Sequence, residues 1–150
     1  MPSFRPEPVA HLLRDLAIYA HHRELRPVYR VSETLVGPAR DFIVRDGREN
    51  LAQALILRLL TPRGALASLG HPDYGSRLWE LIGRLKSDEL RNLCRAFVLE
   101  AVAQEPRVEA KAGRLDFDLL AERFDNFVFN LVVQPRADAA PVEIGLEVGL

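Results

Sequence analysis

The chain has 150 residues, 48% of them hydrophobic, with 20 Lys plus Arg against 21 Asp plus Glu and a formal net charge of −1. That is enough apolar material for one ordinary core, and the near-neutral balance excludes the electrostatic footprint that nucleic acid or an acidic membrane surface requires. The start, Met1-Pro2-Ser3-Phe4-Arg5-Pro6-Glu7-Pro8, lacks the cationic and apolar blocks of a signal peptide, no stretch approaches about 18 uncharged residues, and the lone Cys94 excludes an internal disulfide and a multi-cysteine zinc site. The expectation is a cytoplasmic chain with no nucleic-acid partner, no membrane insertion, no metal and no cofactor.

In chain order, Val9, Leu12, Leu13, Leu16 and Ala20 follow helical spacing with His11, Arg14, Asp15 and His22 elsewhere, which predicts an amphipathic helix from about Pro8 to Arg26. His11, His21 and His22 invite a metal reading. However, His21 and His22 would point about 100° apart on a helix, and no spaced Asp, Glu or Cys completes a ligand set. Pro27 ends this element, and Val36-Gly37-Pro38 marks a turn before a short strand at Asp41-Phe42-Ile43-Val44-Arg45.

Asp46 stands three residues before Glu49, as in a capping box, so a second helix should begin here. Its Leu51, Ala52, Leu55, Ile56, Leu59 and Leu60 keep helical spacing, and Leu57 widens the stripe, so other elements should cover most of its circumference. Thr61-Pro62-Arg63-Gly64 breaks it, and Gly70, Pro72 and Gly75 favour a shaped loop. No Gly-Lys-Ser/Thr follows those glycines, so the loop is not a Walker-type phosphate cradle. Tyr74, between Asp73 and Gly75, either presents an aromatic contact to a partner or covers the helix beneath it, the second fitting slightly better. Ser76 can cap a short helix, RLWELIG, with Leu78, Leu81 and Ile82 inward, and Ser87 can cap the next.

From Asp88 to Gln104, Leu90, Leu93, Cys94, Phe97, Val98, Ala101 and Val102 recur at intervals of three and four, a stripe that must be core. Asp88 and Glu89 suit the positive end of the helix dipole, and Pro106 disfavours helical geometry at Glu105, so Glu105-Pro106-Arg107 is first of all a helix stop. Strands follow at 107–112 and 127–133. A last one has Val142, Ile144, Leu146 and Val148 alternating with Glu143, Gly145 and Glu147. The only linker-like segment is QPRADAAP, 134–141. The fold class is therefore α+β, about four helices packed on a small antiparallel β-sheet. Because the chain stops at Leu150, the last strand is expected at a sheet edge, its backbone open to another chain.

DGRENLAQALILRLLTPRG, then PDYGSRLWELIG, then EPRV, in this order and spacing, resemble the baseplate assembly protein W family, also called the phage baseplate wedge lysozyme-like family. The likeness runs from Val36 to Val133 and divides the chain into an N-terminal helical extension (1–35), the family-like domain (36–134) and a C-terminal strand extension (135–150). It implies a non-catalytic structural part of the baseplate in a contractile phage tail, a type VI secretion system or a related contractile injection particle. Six wedges assemble around such a baseplate, and the contractile sheath starts to polymerise from it. The implied partners are other baseplate wedge proteins, a sheath subunit, and hub or spike proteins in a six-fold assembly.

The Glu-Pro-Arg triplet recurs in that family at a wedge contact and carries over to Glu105, Pro106 and Arg107, with Tyr74 and Arg77 as further expected partner contacts. Arg offers a planar fork for a carboxylate, and Pro106 fixes one backbone angle between the two charges. The sheath subunit is expected to add a strand along Val142, Ile144 and Leu146, and the N-terminal helix to lodge on a neighbouring protein.

The lysozyme-like name raises an alternative, a peptidoglycan-degrading enzyme. Glycoside hydrolysis needs two carboxyl groups about 5 to 10 Å apart, one raised in pKa by an apolar setting. Glu80 beside Trp79, Glu105 and Asp73 are the candidates, but nothing pairs any of them with a second acid. His71 is the only loop histidine and Cys94 belongs to an apolar stripe, so no Ser/His/Asp or Cys/His set forms and no catalytic residue is assigned. A third possibility is a small adaptor domain unrelated to contractile machines.

Overall fold

The computed structural model describes residues 14–16, 25–27 and 44–46 as backbone, and 47–109, 113–137 and 140–150 in full. Among the described residues the order is β1 (Arg14–Leu16), β2 (Leu25–Pro27), β3 (Val44–Asp46), α1 (Gly47–Leu60), α2 (Asp88–Ala103), β4 (Arg114–Phe117), β5 (Asn126–Val133) and β6 (Val142–Gly149). Two single turns of 3-10 helix, Ala67–Leu69 and Leu78–Leu81, lie between α1 and α2. The class is α+β, with two α-helices among the described residues where the sequence predicts about four.

The missing two have separate causes. RLWELIG winds for only one turn: Ile82 is already extended at ψ 131°, and Gly83 follows in the left-handed region at φ 82°. The helix expected over Pro8 to Arg26 is contradicted where the span is described: Arg14–Leu16 pairs antiparallel with β3, and Leu25–Pro27 pairs with β6. Three-residue strands are too short for a period of two to show, and a chance period of 3.6 dominated the pattern. The rest of that span, including His11, His21 and His22, lies outside the described residues.

The main sheet has the order β2-β6-β5-β4, all neighbours antiparallel. β5 and β6 pair over eight positions, from Asn126↔Gly149 to Val133↔Val142. Phe127, Phe129, Leu131 and Val133 of β5 and Val142, Ile144, Leu146 and Val148 of β6 are all buried. They form one apolar face under the helices, as alternation dictates. β6 is thus not the free edge expected of it: β2 covers its C-terminal half with the register Leu25↔Val148, Arg26↔Glu147 and Pro27↔Leu146. Pro27 is tolerable there because β2 is itself the outer strand. The segment set apart as a C-terminal extension therefore packs into the same core as the rest, and 134–141 is the connection of the β5–β6 hairpin. Of the strand expected at 107–112, residues 107–109 hold a bridge between Val108 and Pro135, and 110–112 lie outside the described residues.

α1 runs from β3 through Gly47, whose φ of 54° makes the strand-to-helix corner. It buries Leu51, Leu55, Ile56 and Leu59, and also Asn50 and Gln53, so it is enclosed on more than one side, as its wide stripe predicts. It packs on β6 and α2. α2 is capped by Ser87, whose hydroxyl accepts from Leu90 N–H at 3.1 Å, and it buries Leu90, Cys94, Phe97, Val98, Ala101 and Val102. Such a cap contributes about 1 kcal/mol.

Candidate functional site

The three sequence segments that carry the family resemblance converge at the C-terminal ends of α1 and α2. From the first comes Arg58, in the last turn of α1. The second supplies Tyr74, whose ring lies 4.5 Å from the Arg58 guanidinium carbon. The third supplies Glu105 and Arg107. α2 stops at Ala103, and Glu105-Pro106-Arg107-Val108 then makes a turn closed by Val108 N–H donating to Glu105 O at 3.1 Å. Pro106 occupies the second position of that turn, where its fixed φ is favoured.

The Glu105 carboxylate points inward and is only 5% exposed. Arg107 Nε donates to its Oε1 at 2.6 Å and Arg107 N–H to the same oxygen at 3.4 Å, while Arg58 Nη2 reaches Oε2 at 3.4 Å. Burial alone pushes the Glu105 carboxyl up, but the Arg107 hydrogen bond and the charges of Arg107 and Arg58 outweigh it and hold it below its ordinary value. Tyr74 shifts the other way: burial raises its hydroxyl pKa, against the opposing charge of Arg58.

Tyr74 is carried by a loop whose ends are tied together. Arg63 N–H donates to Ser76 O and Ser76 N–H to Thr61 O, each at 2.9 Å. A Cβ on Gly75, at φ 109°, would sit 2.5 Å from Thr61 O and 2.9 Å from Arg63 N, so only glycine fits this junction. Ser76 is not the N-cap expected of it, a place taken by Arg77; its hydroxyl donates to Leu59 O at 2.7 Å and accepts from Leu78 N–H at 3.3 Å. With Thr61 Oγ1 on Leu57 O and Trp79 Nε1 on Leu60 O, it occupies the carbonyls at the end of α1. The loop is a closed, pinned Ω-shaped excursion. On its outer side Arg63 pairs with Glu100 at 2.5 Å and with Asp73 at 3.3 Å.

The remaining expected site residues lie apart from this cluster. Arg77 pairs with Glu80 through Nε and Nη2, both at 2.9 Å, and stacks 4.4 Å from the Phe97 ring centroid, so its fork is engaged within the chain. Val142, Ile144 and Leu146 are buried in the core beneath α1, and Leu146 is paired through β2, which leaves their side chains no partner-facing surface. The three carboxylates weighed for the enzymatic alternative are also accounted for. Glu80 is exposed and held below its ordinary value by Arg77, Glu105 is held below its own by Arg107 and Arg58 against its burial, and Asp73 is exposed beside Arg63.

Sequence reasoning missed Arg58, whose place in the apolar run ALILRLL reads as an ordinary helix charge. It also missed a second buried acid, Glu122, 3% exposed. Arg91 grips Glu122 with both terminal nitrogens, at 2.6 and 2.9 Å, and Lys86 Nζ lies 2.8 Å away. Neither a scan against protein-family models nor a search of curated proteins finds a match for the chain.

Proposed function

We propose that the chain is a non-catalytic structural wedge component of the baseplate of a contractile injection machine, whether a phage tail-like particle or a type VI secretion system. It joins neighbouring wedge proteins and provides a start for the sheath. The observation that carries this reading is the convergence just described: three segments chosen only for their order and spacing bring Arg58, Tyr74, Glu105 and Arg107 into one cluster. A helix stop in solvent would leave Glu105 exposed. Instead its carboxylate is buried and shared by two arginines, with Pro106 exposed at the tip of the corner. A rigid corner with guanidinium groups at its base suits a fixed contact between subunits, because little side-chain freedom remains to be lost on binding.

In this reading the chain is cytoplasmic before it is built into the particle; among the described residues no helix is long and apolar enough to cross a membrane. The sheath contact is assigned to the sheet, but with Val142, Ile144 and Leu146 acting through the backbone and core of β6 and not through exposed side chains.

Arg107→Ala is the test. The purified full chain should stay folded by circular dichroism, while particles isolated from cells carrying the variant should lack assembled baseplates in electron micrographs; an interface arginine of this kind is typically worth about 2 kcal/mol or more. Normal particles from a folded Arg107→Ala chain would overturn the assignment of the corner. A muramidase assay on purified cell wall should give no turnover, and turnover lost in Glu105→Gln or Glu80→Gln would replace the structural reading with the enzymatic one.

A further inference from the structure

Arg58 is the most poorly satisfied charged side chain of the cluster. Only 11% exposed, its guanidinium makes one ion-pair contact, 3.4 Å to a carboxylate oxygen whose sister atom already holds Arg107 at 2.6 Å. Its Nε is buried with no hydrogen-bond partner among the described residues. The long contact and the orphaned Nε leave the Arg58 guanidinium short of acceptors in a half-desolvated setting. Such a group costs stability unless something completes it.

The same guanidinium borders an open cavity of about 670 Å³, whose walls include Arg58, Arg63, His71, Asp73, Tyr74 and Gln104. Resting on the baseplate reading, we propose that this cavity is the receptor for a carboxylate of the neighbouring wedge protein, which enters beside Tyr74 and completes the hydrogen bonding of Arg58. What favours an anion is the unmet donor of Arg58, since Arg63 already has Glu100 and Asp73 as partners. Asp73 is the group an incoming acid must contend with. It is 80% exposed and holds Arg63 at only 3.3 Å, whereas Arg63 has its firmer partner, Glu100, at 2.5 Å on the far side. An incoming carboxylate can therefore displace Asp73 from Arg63 without stripping Arg63 of its main ion pair. The planar fork of Arg58 matches a carboxylate, and the Tyr74 ring over the guanidinium keeps bulk water from competing on one face. The pinned loop, closed at Gly75 and Ser76, holds that ring in place before any partner arrives.

The experiment is a titration of the isolated full chain, followed by the Nε–Hε resonance of Arg58 in nitrogen-proton correlation spectra at low salt. The probes are a blocked glutamate peptide, a peptide with a free C-terminal carboxylate, a blocked glutamine peptide and inorganic phosphate. A saturable shift with either carboxylate probe and none with the glutamine peptide supports the proposal, and the stronger of the two tells an acidic side chain from a chain terminus. Asp73→Asn should tighten the carboxylate titration, and Arg58→Lys should weaken it about tenfold or more, the order expected for losing a charge-assisted hydrogen bond. If Arg58→Lys does not fold, the Asp73→Asn change, on the exposed rim, still decides the sign. No shift with either carboxylate, a shift with phosphate alone, or unchanged binding in Asp73→Asn would overturn it. Because the titration needs no particle, its failure in a chain that mass spectrometry finds in baseplates removes the carboxylate receptor and leaves the wedge role. A chain that binds the carboxylate yet is absent from such particles removes the wedge role alone.

Discussion

Two buried carboxylates brace the two ends of α2, and they are built differently. Near the start of the helix Glu122 is gripped by both terminal nitrogens of Arg91 and by Lys86, and Lys86 goes on to donate to Arg123 O at 2.6 Å and Asn126 O at 2.9 Å. Arg91 in turn lies 4.8 Å from the ring centroids of both Phe117 and Phe127. Beyond the end of the helix Glu105 has one short bond, from the Arg107 side chain two positions away, and two long ones, from Arg107 N–H and from Arg58. The first cluster fastens the β4–β5 loop to the helix and leaves little for a further ligand. The second is nearly as buried but leaves one donor, Arg58 Nε, without a partner among the described residues. Equal burial therefore does not mean equal purpose: a saturated cluster serves the fold, and an unsaturated one at the wall of a cavity has capacity for a partner.

That contrast can be broken by experiment. Glu122→Gln should be the most damaging change, removing the common partner of two cations and costing about 3 to 5 kcal/mol. Urea unfolding of the full chain would show a lowered midpoint at unchanged slope, and a loss below about 1 kcal/mol would mean that Glu122 is not a brace. Gly75→Ala should cost about 3 kcal/mol, because a side chain there combines strained backbone with overlap on Thr61 O. It should also abolish the Arg58 titration if the loop is what holds the receptor open. Glu105→Gln should cost less, about 2 kcal/mol, since Arg107 loses a charge-assisted bond but Arg58 loses only a long contact. If it equals Glu122→Gln in effect, the two clusters are alike after all.

The pH dependence follows from the same two groups. Burial opposes the charge on each, but Arg91 and Lys86 hold the Glu122 carboxyl, and Arg107 and Arg58 that of Glu105, below the ordinary value of 4.5. The folded state then binds these protons less readily than the unfolded state. The stability the two carboxylates contribute is fully present above about pH 4.5 and is lost as pH falls below it, through the depressed folded-state values. Measured from about pH 6 down to about pH 3, the stability gap between wild type and each glutamine variant should close. The smallest effect is expected of Tyr74→Leu, which keeps apolar cover but removes the ring over Arg58, at about 1 kcal/mol or less in the isolated chain. A strong drop in melting temperature would make Tyr74 part of the fold's own support and weaken its role at the receptor.

What could be read in advance depended on how far apart the interacting residues are. The α2 stripe was legible because its period repeats over four turns, and six of its seven apolar members are fully buried. β5 and β6 were legible because eight residues allow alternation to declare itself. The corner at Glu105-Pro106-Arg107 was visible because Pro106 acts on its immediate neighbours. Its partner Arg58 was not, because 47 residues separate it from Glu105, and nothing local marks a helical arginine as buried. Glu122 was hidden for the same reason, 31 residues from Arg91. The edge placed at β6 failed because its neighbour, β2, is a three-residue strand from far upstream that carries a proline and no pattern of its own.

One buried atom gives all of these variants a common clock. Cys94 is the only cysteine, fully buried in α2, and burial pushes its thiol up to about 12. The thiolate is the reactive form, so in the closed protein the sulfur is chemically silent at neutral pH. A thiol reagent can reach it only when α2 lifts from the sheet, and the labelling rate under conditions of fast reclosing then reports the free energy of that opening. No dye, tag or engineered cysteine is needed. The chain carries its own stopwatch at the middle of the helix that both carboxylates hold down, and a loosening at either end should be timed by the same reaction.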